Sequence, residues 1–438
     1  MIRNKSMKRV SLVSAVIAAG AMVLTTLPAQ AATPGVTASE IKLGISSPTS
    51  GSAGTAYGKI PGAMKAYFSY INANGGVYGR KITLIHRDDK YLPVLAATRT
   101  TQLVLPDGDG VFALVGALGT ATHTKAYKAA SLAKENVPDL FVNTGYSGFG
   151  DTTKYPTTFT VLPSYAMEAK IMSKFIKENF AGQAVALIAQ DDEFGVDGVN
   201  GFKAGALTIA STTLYPQSSL TDARAKNLLT GLGALPGKPV LVMMGTTDVT
   251  ATILKAAESL DLVSKFTWIA GSVGGDANTL VGGFKVKAST INGMLAASFF
   301  PDAKDTKDEY VSQFMKINAK YNKGVTFDNV VLQGMNSAML TVQALRAAGK
   351  NLTREGLISA IEAKGSKFAG AGLVPLNYST SSRVGYNGYW FGQLNSAGEL
   401  KPFGGKLSIF TTDSGGGAIQ PSEFKRPTMP KNGIPTNS

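Results

Sequence analysis

The sequence predicts an α/β fold in which two lobes are each built around a doubly wound parallel sheet. Short apolar segments typical of buried strands alternate with amphipathic helices, which is the pattern of βαβ units. The alternation stops near residue 160 and then starts again, so the units fall into two series. The chain has 438 residues, a length that suits two domains of ordinary size.

The N-terminus has the features of a secretory signal peptide. Four basic residues stand within the first nine positions, an apolar run follows from residue 10 to 27, and Ala29 and Ala31 supply small residues for cleavage. A membrane anchor is the alternative, but it needs about 20 uninterrupted apolar residues, and serines, threonines and Pro28 interrupt this run. We therefore predict that residues 1–31 are a signal peptide and that the mature protein is periplasmic, secreted or associated with the cell surface.

The composition excludes several functional classes. The chain has no cysteine, which excludes disulfides, thiol nucleophiles, zinc–thiolate sites and a lipid-modified N-terminal cysteine. The formal net charge is +14, but the lysines are scattered among acidic residues and do not form the basic stripe with aromatics that nucleic-acid binding requires. We expect no nucleic-acid partner.

The sequence also lacks the residues of a metal site or a catalytic centre. His86 and His123 are the only histidines, which is too few for a typical metal cluster. The Gly-x-Ser-x-Gly motif of serine hydrolases is absent, and no other titratable constellation stands out. We therefore expect no metal, no cofactor and no enzymatic activity.

The first series of elements forms the first lobe. Its strands are predicted in the segments "EIKLGISSPTSG", "KITLIHRDD", "VFALVGALG" and "PDLFVN". Helices separate these strands, and turn signals such as the Asn-Gly-Gly of residues 74–76 end the helices. A further extended segment, "TFTVLPS", leads out of the first lobe.

The second series forms the second lobe. Its strands are predicted in "AVALIAQDD", "TTLYPQ", "PVLVMMGT" and "FTWIAGS". After a strand-like return at "INGMLAASFF", two helices are assigned back to the first lobe, and "YNGYWFGQLN" and "KLSIFTT" are expected to complete the second sheet.

These assignments divide the chain into segments. The first lobe comprises residues 36–160 and 298–375, and the second lobe comprises residues 161–297 and 376–412. Residues 413–438 contain a glycine triplet and several prolines, so we predict a disordered tail.

Four motifs give the chain a resemblance to a known family. They are "GISSPTSGSAGTAYG", "INANGGVYGRKI", "LVGALGTATHT" and "DDEFGVDGVNGF". With this order of elements, the chain resembles the leucine/isoleucine/valine-binding proteins, the solute receptors of branched-chain-amino-acid-type ABC importers, over roughly residues 36–411. The resemblance implies the type I periplasmic-binding fold, with two lobes joined by a three-strand hinge that close on a ligand. It also implies a monomer that works with an ABC permease and ATPase in the membrane.

The segment "GTATHT" at residues 119–124 predicts an anion-binding corner. Ligands of open parallel sheets bind at the carboxyl ends of strands, where the next helix presents unpaired N–H groups and the positive end of its dipole. Gly119 allows close approach of the backbone, Ala121 lies in the same turn, and the hydroxyls of Thr120 and Thr122 can add hydrogen bonds. The resemblance places Thr120 against a ligand carboxylate; the alternative is that these threonines only cap the helix. His123 could line the mouth of the same cleft.

Other ligand contacts are implied by the resemblance alone. The matching positions are Tyr57, Tyr146, Ser147, Phe194, Thr246 and Thr247. The alternatives are that Tyr57 is an ordinary loop residue and that Phe194 packs under its loop.

Val273 departs from the pattern of the family. Members that bind α-amino acids have a glutamate or aspartate near this position to pair with the ligand's ammonium, and valine cannot do so. Because an unpaired buried ammonium is costly, either another acid replaces it or the ligand has no amino group. The candidate acids are Asp191, Asp192, Asp248 and Asp276, each of which could instead stabilise a helix start.

The sequence therefore predicts a non-enzymatic solute-binding protein that delivers a small organic ligand, carboxylate-bearing and of the amino-acid or related class, to an ABC importer. The alternative is a ligand-sensing subunit with the same fold that signals to a receptor partner.

Overall fold

The computed structural model describes residues 33–217 and 220–436. The predicted signal peptide lies outside the described residues. In the part of the chain that is described, no helix combines the length and apolarity needed to cross a bilayer.

The first sheet has five strands, all parallel, in the order β2-β1-β3-β4-β5. The strands are β1 Glu40–Ser46, β2 Lys81–Arg87, β3 Ala113–Val115, β4 Asp139–Val142 and β5 Thr158–Thr160. The helices of this segment are α1 Gly54–Tyr57, α2 Ile60–Ala73, α3 Pro93–Val104 and α4 Thr120–Ala129. Strands β3 to β5 are buried at every position, as expected for a parallel sheet covered on both faces.

The second lobe repeats this alternation. Its strands are β6 Val185–Gln190, β7 Ser211–Tyr215, β8 Val240–Met244, β9 Thr267–Ala270 and β10 Leu295–Ser298. Its helices are α5 Tyr165–Asn179, α6 Glu193–Ala204, α7 Asp222–Gly233, α8 Thr247–Ser259 and α9 Ala288–Ile291. These five strands are parallel in the order β7-β6-β8-β9-β10, and β6 and β8 are wholly buried.

The C-terminal part of the chain contributes to both lobes. Helices α10 Glu309–Tyr321, α11 Asn329–Ala347 and α12 Arg354–Lys364 follow β10, and α11 packs closely on α2 of the first lobe. Strands β11 Trp390–Leu394 and β12 Leu400–Pro402 then join the second sheet beside β10, both in antiparallel register. The second sheet is therefore parallel with an antiparallel edge. The predicted α/β class with two doubly wound lobes is confirmed.

Three chain segments pass between the sheets and are hydrogen-bonded side by side. Thr160 N–H donates to the Arg383 carbonyl at 3.0 Å, and Tyr386 N–H donates to the Val161 carbonyl at 3.2 Å. Leu373 N–H donates to the Phe299 carbonyl at 2.8 Å, which ties the remaining crossing to the others. These bonds form the three-strand hinge. The boundaries predicted for the lobes stay a prediction.

The segment "KLSIFTT" does not complete the second sheet. Its residues form β13 Phe410–Thr411, which pairs with β14 Gln420–Pro421 in a separate two-stranded sheet. The apolar pattern correctly indicated a strand. It could not identify the pairing partner, because that partner lies in a segment with too many glycines and prolines to be expected as a strand.

Residues 413–436 differ from the predicted disordered tail, because they bind Lys170 of the second lobe and then lie against the first lobe. Tyrosine hydroxyls of α2 and α10 donate to tail carbonyls: Tyr67 to Gly433 at 2.7 Å and Tyr310 to Pro427 at 2.8 Å. Arg426 forms a salt bridge with Asp308 at 2.6 Å, and its guanidinium lies 4.5 Å from the centre of the Tyr310 ring. Glycine and proline content indicated only that the segment lacks regular structure, whereas partners distant in sequence hold it in place.

We expect Arg426→Ala to lower the free energy of unfolding by about 2 kcal/mol, because the mostly buried Asp308 loses its cationic partner. Urea denaturation of purified protein measures this loss. The neighbouring Lys425 is exposed, so Lys425→Ala is the matched control and should unfold like the wild type. Equal stability of both variants would show that the tail adds nothing to the fold.

Candidate functional site

A cavity of about 100 Å³ lies in the cleft between the lobes and is lined from both of them. Five helices begin at or beside it, since the residues at or next to the starts of α4, α5, α6, α8 and α11 line its wall. Each helix start carries N–H groups without intrahelical acceptors and a partial positive charge. The cleft thus combines small size with the partial positive charge of five helix starts.

Aromatic side chains form much of the cavity wall. Tyr57 and Tyr91 come from the first lobe, and Tyr165 and Phe194 come from the second, with the latter two ring centres 4.2 Å apart. Phe299–Phe300, in the crossing after β10, closes another side. Such walls remove water from a ligand and favour apolar or aromatic ligand bodies.

The hydroxyl of Tyr57 connects the two lobes across the cleft. It donates to the Val273 carbonyl at 3.1 Å and accepts the N–H of Thr247 at 3.2 Å. The Thr247 hydroxyl donates to the same carbonyl at 3.0 Å. Burial raises the pKa of Tyr57 well above its usual range, so the phenol keeps its proton and can donate. This cluster belongs to a closed arrangement of the lobes.

Only Gly119 of the predicted anion-binding corner reaches the cavity wall. Its φ of 97° is in the region that favours glycine, and an added Cβ would lie 2.5 Å from atoms of both Thr122 and Tyr91. The Thr120 hydroxyl is hydrogen-bonded to that of Thr144 at 2.7 Å, and the Thr122 hydroxyl donates to the Leu118 carbonyl at 2.6 Å. Both hydroxyls are therefore occupied within the first lobe, and Ala121 is also absent from the wall.

Tyr146 and Ser147 do not line the cavity. The N–H of Ser147 donates to the carboxylate of Asp197 on α6 at 2.9 Å, and its hydroxyl donates to the same carboxylate. Tyr146 packs edge-on against Phe149 with the ring centres 5.3 Å apart. In the closed arrangement Ser147 is thus a contact between lobes.

Phe194, Thr246, Thr247 and Val273 all line the cavity from the second lobe, beside Tyr57 from the first. The structure therefore brings together six of the predicted positions, counting Gly119. Their contact with a ligand stays a prediction.

Asp276 is the one candidate acid in the cavity wall; Asp191, Asp192 and Asp248 do not line it. Its Oδ1 accepts the Asn329 amide at 2.9 Å and its Oδ2 accepts the Thr279 N–H at 2.9 Å. Burial raises the pKa of Asp276, and the nearby Asp328 raises it further. Lysine, arginine and histidine are all absent from the wall formed by the described residues.

The sequence analysis missed an amide pair in the wall. Gln333 on α11 donates to Asn143 Oδ1 at 2.7 Å, and the Asn143 amide donates to the Gly116 carbonyl at 2.8 Å. The position of Asn143 directly after β4 was a usable signal, because polar residues at strand ends face the cleft. Gln333 gave no signal, since it lies on a helix from a distant part of the chain.

His123 does not line the cleft mouth. It lies on the buried face of α4 with 2% exposure, and its Nε2 lies 2.6 Å from Asp139 Oδ2. Asp139 also accepts the Thr158 hydroxyl at 2.7 Å. The residue therefore takes part in a buried polar cluster of the first lobe.

Residues 40–399 match the family described as periplasmic binding protein. The match covers most of the chain and contains every residue that lines the cavity except Leu400. A comparison with curated proteins gives no match.

Solved structures with similar folds include three with informative descriptions. A branched-chain amino acid ABC transporter protein from Thermus thermophilus with bound valine has a TM-score of 0.74 and 19% identity, over 86% of this chain and 97% of that one. A fatty acid ABC transporter substrate-binding protein from Thermomonospora curvata has a TM-score of 0.70 and 19% identity, over 89% and 94%. An ABC transporter solute-binding protein from Rhodopseudomonas palustris BisB5, in complex with 3,4-dihydroxybenzoic acid, has a TM-score of 0.68 and 18% identity, over 82% and 95%. At these identities the likeness establishes the fold.

We expect Gly119→Ala to destabilise the protein more than Gly182→Ala. Both glycines have positive φ, but Gly182 has nothing within 4 Å of an added Cβ. The control should therefore lose only about 1 kcal/mol from backbone strain, and the Gly119 variant about 1–3 kcal/mol more from the clash with Thr122 and Tyr91. Chemical denaturation measures both, and equal losses would contradict the close packing at this corner.

We expect Tyr57→Phe to shift the lobes toward an open arrangement by about 1–2 kcal/mol, because it removes hydrogen bonds made across the cleft. Since the chain has no cysteine, spin labels on Lys128→Cys and Lys203→Cys report the distance between lobes. Tyr78→Phe is the control, because the Tyr78 hydroxyl donates to the Arg346 carbonyl within the first lobe. An unchanged distance distribution in the Tyr57 variant would refute the role of this hydroxyl in closure.

Proposed function

We propose, because this chain belongs to the periplasmic binding protein family, that it captures a small carboxylate-bearing molecule outside the cytoplasm and delivers it to an ABC importer. The family assignment makes the chain a binding protein and not an enzyme. Delivery requires a permease and an ATPase in the membrane, and a monomer suffices for it.

The observation that carries the proposal is the small cavity enclosed by two lobes that a three-strand hinge joins. Residues of both lobes line it, and Tyr57 bonds from one lobe to the Val273 carbonyl of the other. A ligand held in such a cavity stabilises the closed arrangement through contacts that the open one lacks. A permease could then distinguish loaded from empty protein by its shape.

The electrostatics of the cleft support a carboxylate ligand. Five helix N-termini converge on the cavity and supply partial positive charge, without any lysine, arginine or histidine in the described wall. The relatives with valine and with 3,4-dihydroxybenzoic acid, and the one described as a fatty acid protein, have ligands that share a carboxylate. This shared group matches what the helix starts can bind.

The wall also favours a ligand without an amino group. Val273 cannot pair with an ammonium, and burial, which raises the pKa of Asp276, disfavours the charged form of the acid in the wall. The Val273 carbonyl is occupied by Tyr57 and Thr247. An aromatic or aliphatic carboxylate meets the aromatic walls without leaving an ammonium unpaired.

Import is favoured over sensing as the biological role. The three relatives described above are all components of ABC transporters. The signal peptide predicted at residues 1–31 supports a location outside the cytoplasm and is consistent with either role.

A thermal-shift screen of purified protein tests the ligand class. We expect stabilisation by isovalerate, 4-hydroxybenzoate or a related deaminated carboxylate, and none by the α-amino acids of matching shape. A ligand present at a hundred times its Kd should add about 2.7 kcal/mol. Stabilisation by valine or leucine that is lost in Asp276→Asn would contradict the exclusion of the amino group. The absence of any stabilising carboxylate would contradict the ligand class.

A further inference from the structure

Glu168 is a buried acid that the binding site described above does not use. It lies in the first turn of α5 with 0% exposure and does not line the cavity. Among the described residues, no lysine, arginine or histidine forms a salt bridge with it. A buried carboxylate without a cation is costly and needs another explanation.

The carboxylate holds the loop that follows β9. Its Oε1 accepts the Ser272 N–H at 2.5 Å and its Oε2 lies 3.2 Å from the Ser272 hydroxyl, which donates to it. The preceding residue is Gly271, where an added Cβ would lie 3.2 Å from Oε1. One carboxylate therefore binds both the main chain and the side chain of a single residue in a glycine-rich loop.

This loop forms the second-lobe wall of the cavity. Val273, directly after Ser272, offers its carbonyl to Tyr57 across the cleft, and Asp276 accepts the Asn329 amide from the first lobe. A loop of sequence Gly-Ser-Val-Gly-Gly-Asp has little intrinsic conformational preference. The positions of the Val273 carbonyl and of Asp276 therefore depend on the hydrogen bonds between Glu168 and Ser272.

We propose that Glu168 is a positioning residue that fixes residues 271–276 so that the Val273 carbonyl and Asp276 meet the first lobe on closure. The inference deepens the proposed function, on which it rests for the importance of closure. It assigns Glu168 no contact with the ligand.

The protonation state of Glu168 should change the strength of its hydrogen bonds with Ser272. Burial raises the pKa of Glu168 to about 7, while the hydrogen bonds from Ser272 and Tyr389 lower it. Because those hydrogen bonds lower the pKa, they are stronger when Glu168 is ionised. The hydrogen bonds to Ser272 therefore weaken as the pH falls through about 7 and Glu168 takes up a proton. The other titratable groups that face it are Tyr389 and, on its own helix, Tyr165. Burial raises the pKa of both phenols, so they stay protonated over this range.

Hydrogen exchange of the ligand-free protein tests the proposal. In Glu168→Gln we expect the backbone amides of residues 271–276 to exchange about tenfold faster at pH 8, because a neutral amide is a weaker acceptor than a carboxylate. After correction for the intrinsic rate, the wild-type loop should lose protection between pH 8 and pH 6, and the variant should not. Glu178→Gln, an exposed acid on the same helix, is the matched control and should leave the loop unchanged.

Two results would overturn the proposal. One is unchanged loop protection in Glu168→Gln. The other is faster exchange spread over β6 and β8 as well, which would show that Glu168 only stabilises the second lobe. Because no ligand is needed, the outcome is independent of the thermal-shift screen, and either proposal can fail alone.

Discussion

The closed cleft depends on one constraint: polar groups that lose water when two lobes meet must find partners on the opposite lobe. Hydrogen bonds between the lobes satisfy these polar groups at separate points around the cavity. Tyr57 bonds to Val273 and Thr247, and Ser147 bonds to Asp197 on the far side. These contacts are specific in direction and few in number, so they can be broken when the cleft opens. The same constraint explains why the described residues that line the cavity are neutral apart from one hydrogen-bonded acid.

The charge distribution around the cleft follows from the doubly wound topology. Parallel strands end at one edge, so the helices that follow them all begin there and bring their positive ends together. Acidic residues near these starts partly offset the field, among them Asp276 in the wall. The cleft thereby attracts an anion without a basic side chain. Selectivity between ligands then depends on the aromatic walls and on whether an amino group finds an acceptor.

The hinge and the tail restrict the ways in which the lobes can move. Three crossings are hydrogen-bonded side by side, which favours rotation about one axis over independent drift. The tail begins at the second lobe, where the buried Lys170 binds Asp413 at 2.7 Å, and it continues over the first lobe to the carbonyl of Gly433 under Tyr67. Its contacts with both lobes make it part of the fold.

The sequence by itself determined the α/β class, the two series of βα units and the glycine-rich strand end at which Gly119 reaches the cavity, whereas Tyr57, Phe194 and Thr246 were implied only by the resemblance. Those features depend on short-range periodicity and on glycine, which a single chain shows directly. The partners of these groups were decided only by tertiary structure. Thr120 faces a neighbouring loop and not the cavity, and the helix that supplies Gln333 returns from a distant segment. Hydrogen-bond partners across lobes are separated by up to hundreds of residues, and no local pattern encodes which of them meet.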